Sequence, residues 1–289
     1  MLWISAAALA AIFSGLSVIF AKCGIKKTDS DLAMALRAVA IFVFAWMLVF
    51  AFGSRNTVAS IDSRSWVFLI LSGLASGGSW IFYFKAIAIG DMNKVSSIEK
   101  LSTVLSVILA IICFGETSNL AIKLASTAIL GLGILLTVDR RKKQSGIKGK
   151  KWMVYAVMST LFTAMMSVFS KIGVSDIDPN FATAVRTSIV LILAWTVVLA
   201  SKKQRGIGNI PHTELLFIAL SGIATAASWV CYYFAIKHGD VSVVVPMEKL
   251  SILVVVGFSF FVFKEKISKR AFLGLAFIVT GTVLMAIFR

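Results

Sequence analysis

Two stretches decide how this chain is read: "SGLASGGSWIFYFKAIAIGD" (Ser72–Asp91) and "SGIATAASWVCYYFAIKHGD" (Ser221–Asp240). They align without a gap and are identical at ten of twenty positions. The offset between them is 149 residues, and it holds well beyond these segments. Trp3, Trp46 and Trp80 pair with Trp152, Trp195 and Trp229; Lys22 pairs with Lys171, Arg37 with Arg186, Glu99 with Glu248, and Glu116 with Glu265. The chain is therefore built from two copies of one unit.

Composition says what solvent that unit lives in. Of 289 residues, 59% are hydrophobic and 15% charged, with a mean hydropathy of +0.94. No soluble core hides that much apolar surface, so lipid surrounds most of it. A window of about 20 residues places apolar segments near 3–22, 32–52, 66–89, 95–114 and 119–138, then 152–171, 180–200, 214–236, 242–263 and 269–288. These runs are too long and too continuously apolar for barrel strands, so they are helices. The first segment, "MLWISAAALAAIF", lacks the positively charged start of a cleavable signal and runs to spanning length, so it is read as a retained span.

The expected fold is an all-α integral membrane protein with ten transmembrane helices. It divides into a first unit at 1–138, a basic linker at 139–151 and a second unit at 152–289. An odd number of crossings per unit makes the second copy enter the membrane from the opposite side, which gives an inverted 5+5 repeat.

The net charge of +16 does not point to nucleic acid, because the bases fall in short clusters between apolar runs and not along one aromatic-bearing face. Loops after spans 1, 3, 5, 7 and 9 carry seventeen Lys and Arg residues, seven of them in the linker, against five on the other side. The positive-inside rule then puts the linker in the cytoplasm, both termini outside, and the protein in an inner or plasma membrane.

Polar residues inside the spans mark candidate sites. In the third span Ser72, Ser76, Ser79 and Tyr83 share one helical face, and Ser221, Thr225, Ser228 and Tyr232 repeat it. Such residues either let helices pack closely or, with Trp80 and Trp229 beside them, line a cavity that orients a ligand. The fourth span adds a stripe of Glu99, Ser102, Thr103 and Ser106; its mate keeps Glu248 and Ser251 but continues with Ile252 and Val255. The expected substrate-binding set is Ser76, Ser79, Trp80, Tyr83, Ser102, Ser106, Thr225, Ser228, Trp229 and Tyr232.

Charged residues within spans default to function. Lys22, Arg37 and Glu99 fall toward the cytoplasmic side, and Lys171, Arg186 and Glu248 toward the outside. They read either as gates that close in turn, with Glu99 or Glu248 as a proton-coupling site, or as static interfacial anchors.

Chemistry-bearing motifs are sparse. The two histidines, His212 and His238, form no HExxH; the Gly-Asp pairs lack the preceding glycine of intramembrane aspartyl proteases; and there is no Walker motif. Cys23, Cys113 and Cys231 lie at no metal-ligand spacing. An enzyme, a cofactor and a metal site are thus not expected.

Two five-span units, a Gly-Asp after the third span ("AIAIGD", "AIKHGD") and a Glu closing the fourth ("CFGE", "VFKE") resemble the EamA type of the drug/metabolite transporter superfamily. The resemblance covers essentially the whole chain, and the segments around both "EKLS" stretches look most like the small bacterial branch that often occurs as single five-span chains. It implies a secondary carrier of small metabolites, commonly an exporter, with a central cavity between fused halves. Of its pattern, only the Gly-Asp and terminal Glu positions match residue by residue. Ten-span relatives keep both termini in the cytoplasm, whereas the loop charges here argue the reverse. Charge near the spans favours an anionic or zwitterionic metabolite such as an amino acid, with protons as candidate coupling ions and a monomer or homodimer as the unit. The competing class is a non-transporting scaffold, sensor or partner subunit.

Overall fold

The computed structural model describes residues 2–24, 28–53, 61–89, 95, 98–137, 151–175, 177–261 and 268–288. Its helices are α1 (Leu2–Gly24), α2 (Ser30–Ala51), α3 (Ser63–Ile89), α4 (Ser102–Phe114) and α5 (Leu120–Thr137) in the first half. The second half has α6 (Lys151–Gly173), α7 (Pro179–Ala200), α8 (His212–His238), α9 (Val241–Lys249), α10 (Ser251–Phe261) and α11 (Lys269–Ile287). A 3₁₀ turn, Lys203–Asn209, lies between α7 and α8. The described residues contain no strand. Nine helices among them are long and apolar enough to cross a bilayer, and the remaining expected span, 95–114, is α4 with helical residues Ile98–Lys100 ahead of it. Linker residues 139–150, Glu265 and the first Gly-Asp pair lie outside the described residues, and Lys151 already belongs to α6.

The repeat is legible in local structure. Asp29 caps the N-terminus of α2 by accepting from the backbone N–H of Asp31 (3.0 Å) and Leu32 (3.4 Å). Its mate Asp178 does the same for α7 with Asn180 (2.9 Å) and Phe181 (3.4 Å). Each cap satisfies donors that a helix start leaves without a partner.

Both "EKL" stretches interrupt a span at the same place. Leu101 has φ −65° and ψ −11°, and Leu250 φ −62° and ψ −13°. Their N–H groups donate three residues back, to Ile98 (3.1 Å) and Met247 (3.0 Å), tightening the turn. Pro246 lies just ahead of the second break, but its mate is Ser97, so proline is not what the two breaks have in common.

Packing completes the symmetry. The major contacts pair α1 with α8, α3 with α6, α2 with α7, and α5 with α11. Every pair takes one helix from each half, and exchanging the halves maps the set onto itself, as a pseudo-two-fold axis requires. Small residues permit the close crossings. A Cβ on Gly24 would come 3.0 Å from the Ile218 backbone nitrogen, and one on its mate Gly173 would come 2.9 Å from that of Leu69. Ile218 and Leu69 are themselves mates.

Loops tie off the two ends. At one end Lys203 pairs with Asp29 (3.0 Å) and Asp31, and the Thr28 hydroxyl donates to Glu214 (2.6 Å). At the other end the Glu116 carboxylate accepts from the backbone N–H of Val241 and Ser242 at the start of α9, both at 2.8 Å. Fully buried Lys123 lies 3.7 Å from Asp240 there. Loops after α1 and α7 thus share one end, and those after α4 and α8 the opposite one.

Candidate functional site

Between the halves is a cavity of about 360 Å³, lined by Ser76, Ser79, Trp80, Tyr83, Glu99, Thr163, Met166, Arg186 and Trp229. Along α3 the lining descends from Ser76 to Tyr83, roughly 10 Å of helix, toward the end that carries Lys203. Seven of these residues are ones the sequence singles out. Thr163 and Met166 are additional, both from α6.

Arg186 organises the site. It is 3% exposed, yet it faces the cavity. Nη2 donates to the Ser76 hydroxyl (3.2 Å) and to Met166 Sδ (2.9 Å), and Nη1 to the Tyr233 hydroxyl (3.5 Å). Its guanidinium lies 4.3 Å from the centroid of the Trp229 ring, a cation–π contact that holds the plane in place. The buried Nε has no hydrogen-bond partner. A guanidinium offers donors in a fixed fork, and the Nε of its mate Arg37 is buried and unbonded in the same way.

Ser79 links α3 to α6 through the hydroxyls of Ser159 (3.1 Å) and Thr163 (2.6 Å). Glu99 closes the cavity wall near the break before α4. It lies within electrostatic reach of Lys249, Lys100 and Glu248, and Lys249 is 3.5 Å from Glu248. Spacing alone places Glu99 and Glu248 toward opposite faces, whereas the two "EKL" breaks meet in one charged neighbourhood. Glu248 and Lys249 retain 31% and 33% of their side-chain surface, so this neighbourhood is not sealed.

Other expected residues fall elsewhere. Thr225 bonds to Ser17 (2.6 Å) and accepts from Arg37 Nη2 (2.6 Å), which also donates to Ser17 (2.8 Å). Ser228 donates to the Ala10 carbonyl (2.7 Å), a helix-packing bond. Tyr232 is buried and bonds to Ser167; Ser106 donates to Ser167 (3.4 Å), and Ser102 is buried beside it on α4. Lys171 donates to the Ile236 (2.7 Å) and Gly239 (2.6 Å) carbonyls, closing the C-terminus of α8. Lys22 occupies the last turn of α1. The structure therefore joins Arg186 and Glu99 in one cavity and leaves Lys22, Arg37 and Lys171 outside its wall.

Thr163 and Met166 could not come from the repeat, because their mates are Ser14 and Ser17. The signal for Thr163 was a polar stripe along α6, Ser159, Thr163, Ser167 and Ser170, which the first half does not match. A second cavity of about 240 Å³ lies between α2, α3 and α7, mostly apolar, with Asp31 and Lys85 at its polar points. Trp80 is a wall of both cavities.

Comparison with known proteins agrees with this architecture. An "uncharacterized transporter in cobO 3′ region" of Sinorhizobium sp is 40% identical over 139 residues, which is 48% of this chain and 99% of that protein. An uncharacterized protein of Methanocaldococcus jannaschii is 23% identical over 135 residues, 47% of this chain and 96% of its own length. Each is thus matched nearly end to end by about half of this chain. A solved crystal structure superposes with a TM-score of 0.75 over 98% of this chain and 96% of its own, at 17% identity, and shows the same fold. The profile of the EamA-like transporter family matches twice, over residues 1–139 and 150–287. With both halves matched in full by it, the chain belongs to the EamA-like transporter family.

Proposed function

We propose that this multi-pass membrane protein exports a small polar metabolite, an amino acid or a similar zwitterion or anion, by alternating access between its halves. The carrying observation is the pairing of a buried, incompletely bonded Arg186 with Glu99 in one cavity, flanked by Trp80 and Trp229. Arg186 would receive the carboxylate on its Nε edge, Glu99 an ammonium group, and the indoles the remainder of the solute. The hydroxyls of Ser76 and Ser79 would fix orientation.

Glu99 is also the proposed site of proton coupling, since a carboxylate that meets both substrate and solvent can exchange one for the other. The two halves supply a complete cavity within one chain, so a monomer is the proposed working unit. By the loop charges, the basic linker faces the cytoplasm of an inner or plasma membrane.

The test is counterflow of radiolabelled amino acids in proteoliposomes containing the purified protein. Exchange that responds to an imposed pH gradient, and loses that response in Glu99→Gln, is the expected result. Wild-type pH dependence in Glu99→Gln would remove Glu99 from the coupling mechanism. Absence of exchange across anionic, zwitterionic and cationic metabolites would remove the carrier reading itself.

A further inference from the structure

Beyond the cavity, toward the end that carries Glu116 and Asp240, a polar seam runs where α4, α6, α8 and α9 meet. At its centre Ser167 of α6 bonds to Ser106 of α4 (3.4 Å) and to the Tyr232 hydroxyl. Helices α4 and α6 both run toward this end, so Thr103, one turn before Ser106, lies on the cavity side. Ser170, one turn past Ser167, lies on the far side. Ser242, in the first turn of α9, continues the line to Glu116, whose carboxylate holds the Ser242 N–H.

These hydroxyls are buried without being satisfied. Thr103 is 1% exposed and Ser170 and Ser242 are 0% exposed, and none of the three side-chain oxygens has a hydrogen-bond partner. Buried polar atoms are almost always paired, so three orphans on one seam need a reason.

Helix packing does not supply one. The mates of Ser167, Ser170, Thr103 and Ser106 are Val18, Ala21, Ile252 and Val255, and the corresponding helices α1 and α10 pack together in the other half. The same crossing is thus built there from apolar side chains, and the hydroxyls are surplus to what the fold demands. They also extend the stripe of Ser159 and Thr163, which borders the cavity, by roughly 10 Å from Thr163 to Ser170.

We infer that this seam is the far half of the translocation path, closed in this structure and water-filled in the opposite state, where its hydroxyls carry the polar solute from the cavity to the Glu116 end. The inference rests on the cavity being a transport site.

Single cysteines in a background lacking Cys23, Cys113 and Cys231 test this, using a membrane-impermeant charged methanethiosulfonate applied from each side of oriented vesicles. Positions are Ser170→Cys and Ser242→Cys on the seam and Ser79→Cys in the cavity. Ser126→Cys is the control, because Ser126 is an equally buried, unpaired hydroxyl on α5, away from the seam. Exposed Thr117→Cys, at the Glu116 end, sets the full rate. Each variant is first required to elute as the wild type on size exclusion.

The expected result is labelling of both seam cysteines from the Glu116 side, roughly 10- to 1000-fold slower than Thr117→Cys, as for a state that is 0.1–10% populated. Ser126→Cys stays unlabelled. Seam cysteines as silent as Ser126→Cys would overturn the inference, and if Ser79→Cys still reacts from the linker side, the cavity reading survives that failure. Reactive seam cysteines with a Ser79→Cys that reacts from neither side would also overturn it, since the seam would then lead nowhere.

Discussion

Arg186 and Arg37 are the same residue of the two copies, and even their partners are mates: Ser76 corresponds to Thr225, and Met166 to Ser17. Their surroundings nevertheless differ. Arg186 is buried under the Trp229 ring and walls a cavity of about 360 Å³. Arg37 is half-buried between Ser17 and Thr225, whose hydroxyls also bond to each other at 2.6 Å. One substitution between mates accounts for part of this. Serine at position 17 knits α1 to α8 through Ser221 and Thr225, whereas the thioether of its mate Met166 has no hydroxyl to donate across the equivalent α6–α3 crossing to Ser72 and Ser76. An inverted repeat supplies two equivalent sites, and small departures between copies decide which one is open.

That difference predicts unequal effects from equal mutations. Arg186→Gln removes the proposed anion partner and strands Ser76, and should cost about 2–5 kcal/mol of substrate binding, the range for truncating one partner of a buried charge-assisted contact. Arg37→Gln leaves Ser17 and Thr225 able to satisfy each other, and should lower thermal stability by about 1 kcal/mol with transport largely kept. Counterflow assays and melting curves on both variants are the check. Equal loss of transport would mean that the two arginines serve alternately, and the asymmetry seen here would be one frame of a symmetric cycle.

The sequence carried much of this, for a physical reason. A repeat at fixed offset, spans of membrane length and a helical polar face are all local patterns, so the ten-helix inverted fold and five of nine cavity residues were legible before any coordinates, while Glu99 and Arg186 stood out as gates on opposite faces and not as walls of one cavity. What it could not show was which of two equivalent faces borders the cavity. Thr225, Ser228 and Tyr232 match Ser76, Ser79 and Tyr83 by every rule of spacing, yet they are consumed by bonds to Arg37, Ala10 and Ser167. The meeting of Glu99 with Glu248 was likewise hidden. Depth along a span is local, whereas the approach of two helix breaks across the axis depends on how the halves dock.

The packing of mates can be set against each other in the same way. A Cβ on Gly222 would come within 2.9 Å of the Arg37 carbonyl oxygen and 2.6 Å of the Ala40 Cβ, neither of which can swing aside. On Gly73 the three nearest atoms all belong to the Ile189 side chain, at 2.8–3.1 Å. Gly222→Ala should therefore lose about 1–3 kcal/mol of stability, the usual range for overpacking, and Gly73→Ala less, because rotation of Ile189 can move its Cδ1 and Cγ2 away and leaves only its Cβ, at 3.0 Å, to yield. Melting temperatures in one detergent settle the order. The reverse order would mean that the α3–α7 crossing, beside the cavity, is the stiffer of the two.

The smallest effect belongs to the end clasp. Burial pushes the Asp29 carboxyl up, but hydrogen bonds from Lys203 and from the Leu32 and Asp31 N–H groups outweigh it and leave the group below its ordinary value. Lys203 is raised by its bonds to Asp31 and Asp29. The carboxylate's contribution is present above the ordinary carboxylate range and is lost as pH falls through its lowered value. The lysine's is present below the ordinary lysine range and is lost as pH rises through its raised one. The clasp therefore works across the whole neutral window and fails only at its acid and alkaline edges. Lys203 and Asp29 are 34% and 44% exposed, and solvent screening holds the contribution below about 1 kcal/mol. Lys203→Met should lower the melting temperature slightly and evenly from about pH 5 to 9, with the gap to wild type closing below about pH 4. A gap that persisted into acid would mean that the lysine holds this end through its packed methylenes and not its charge.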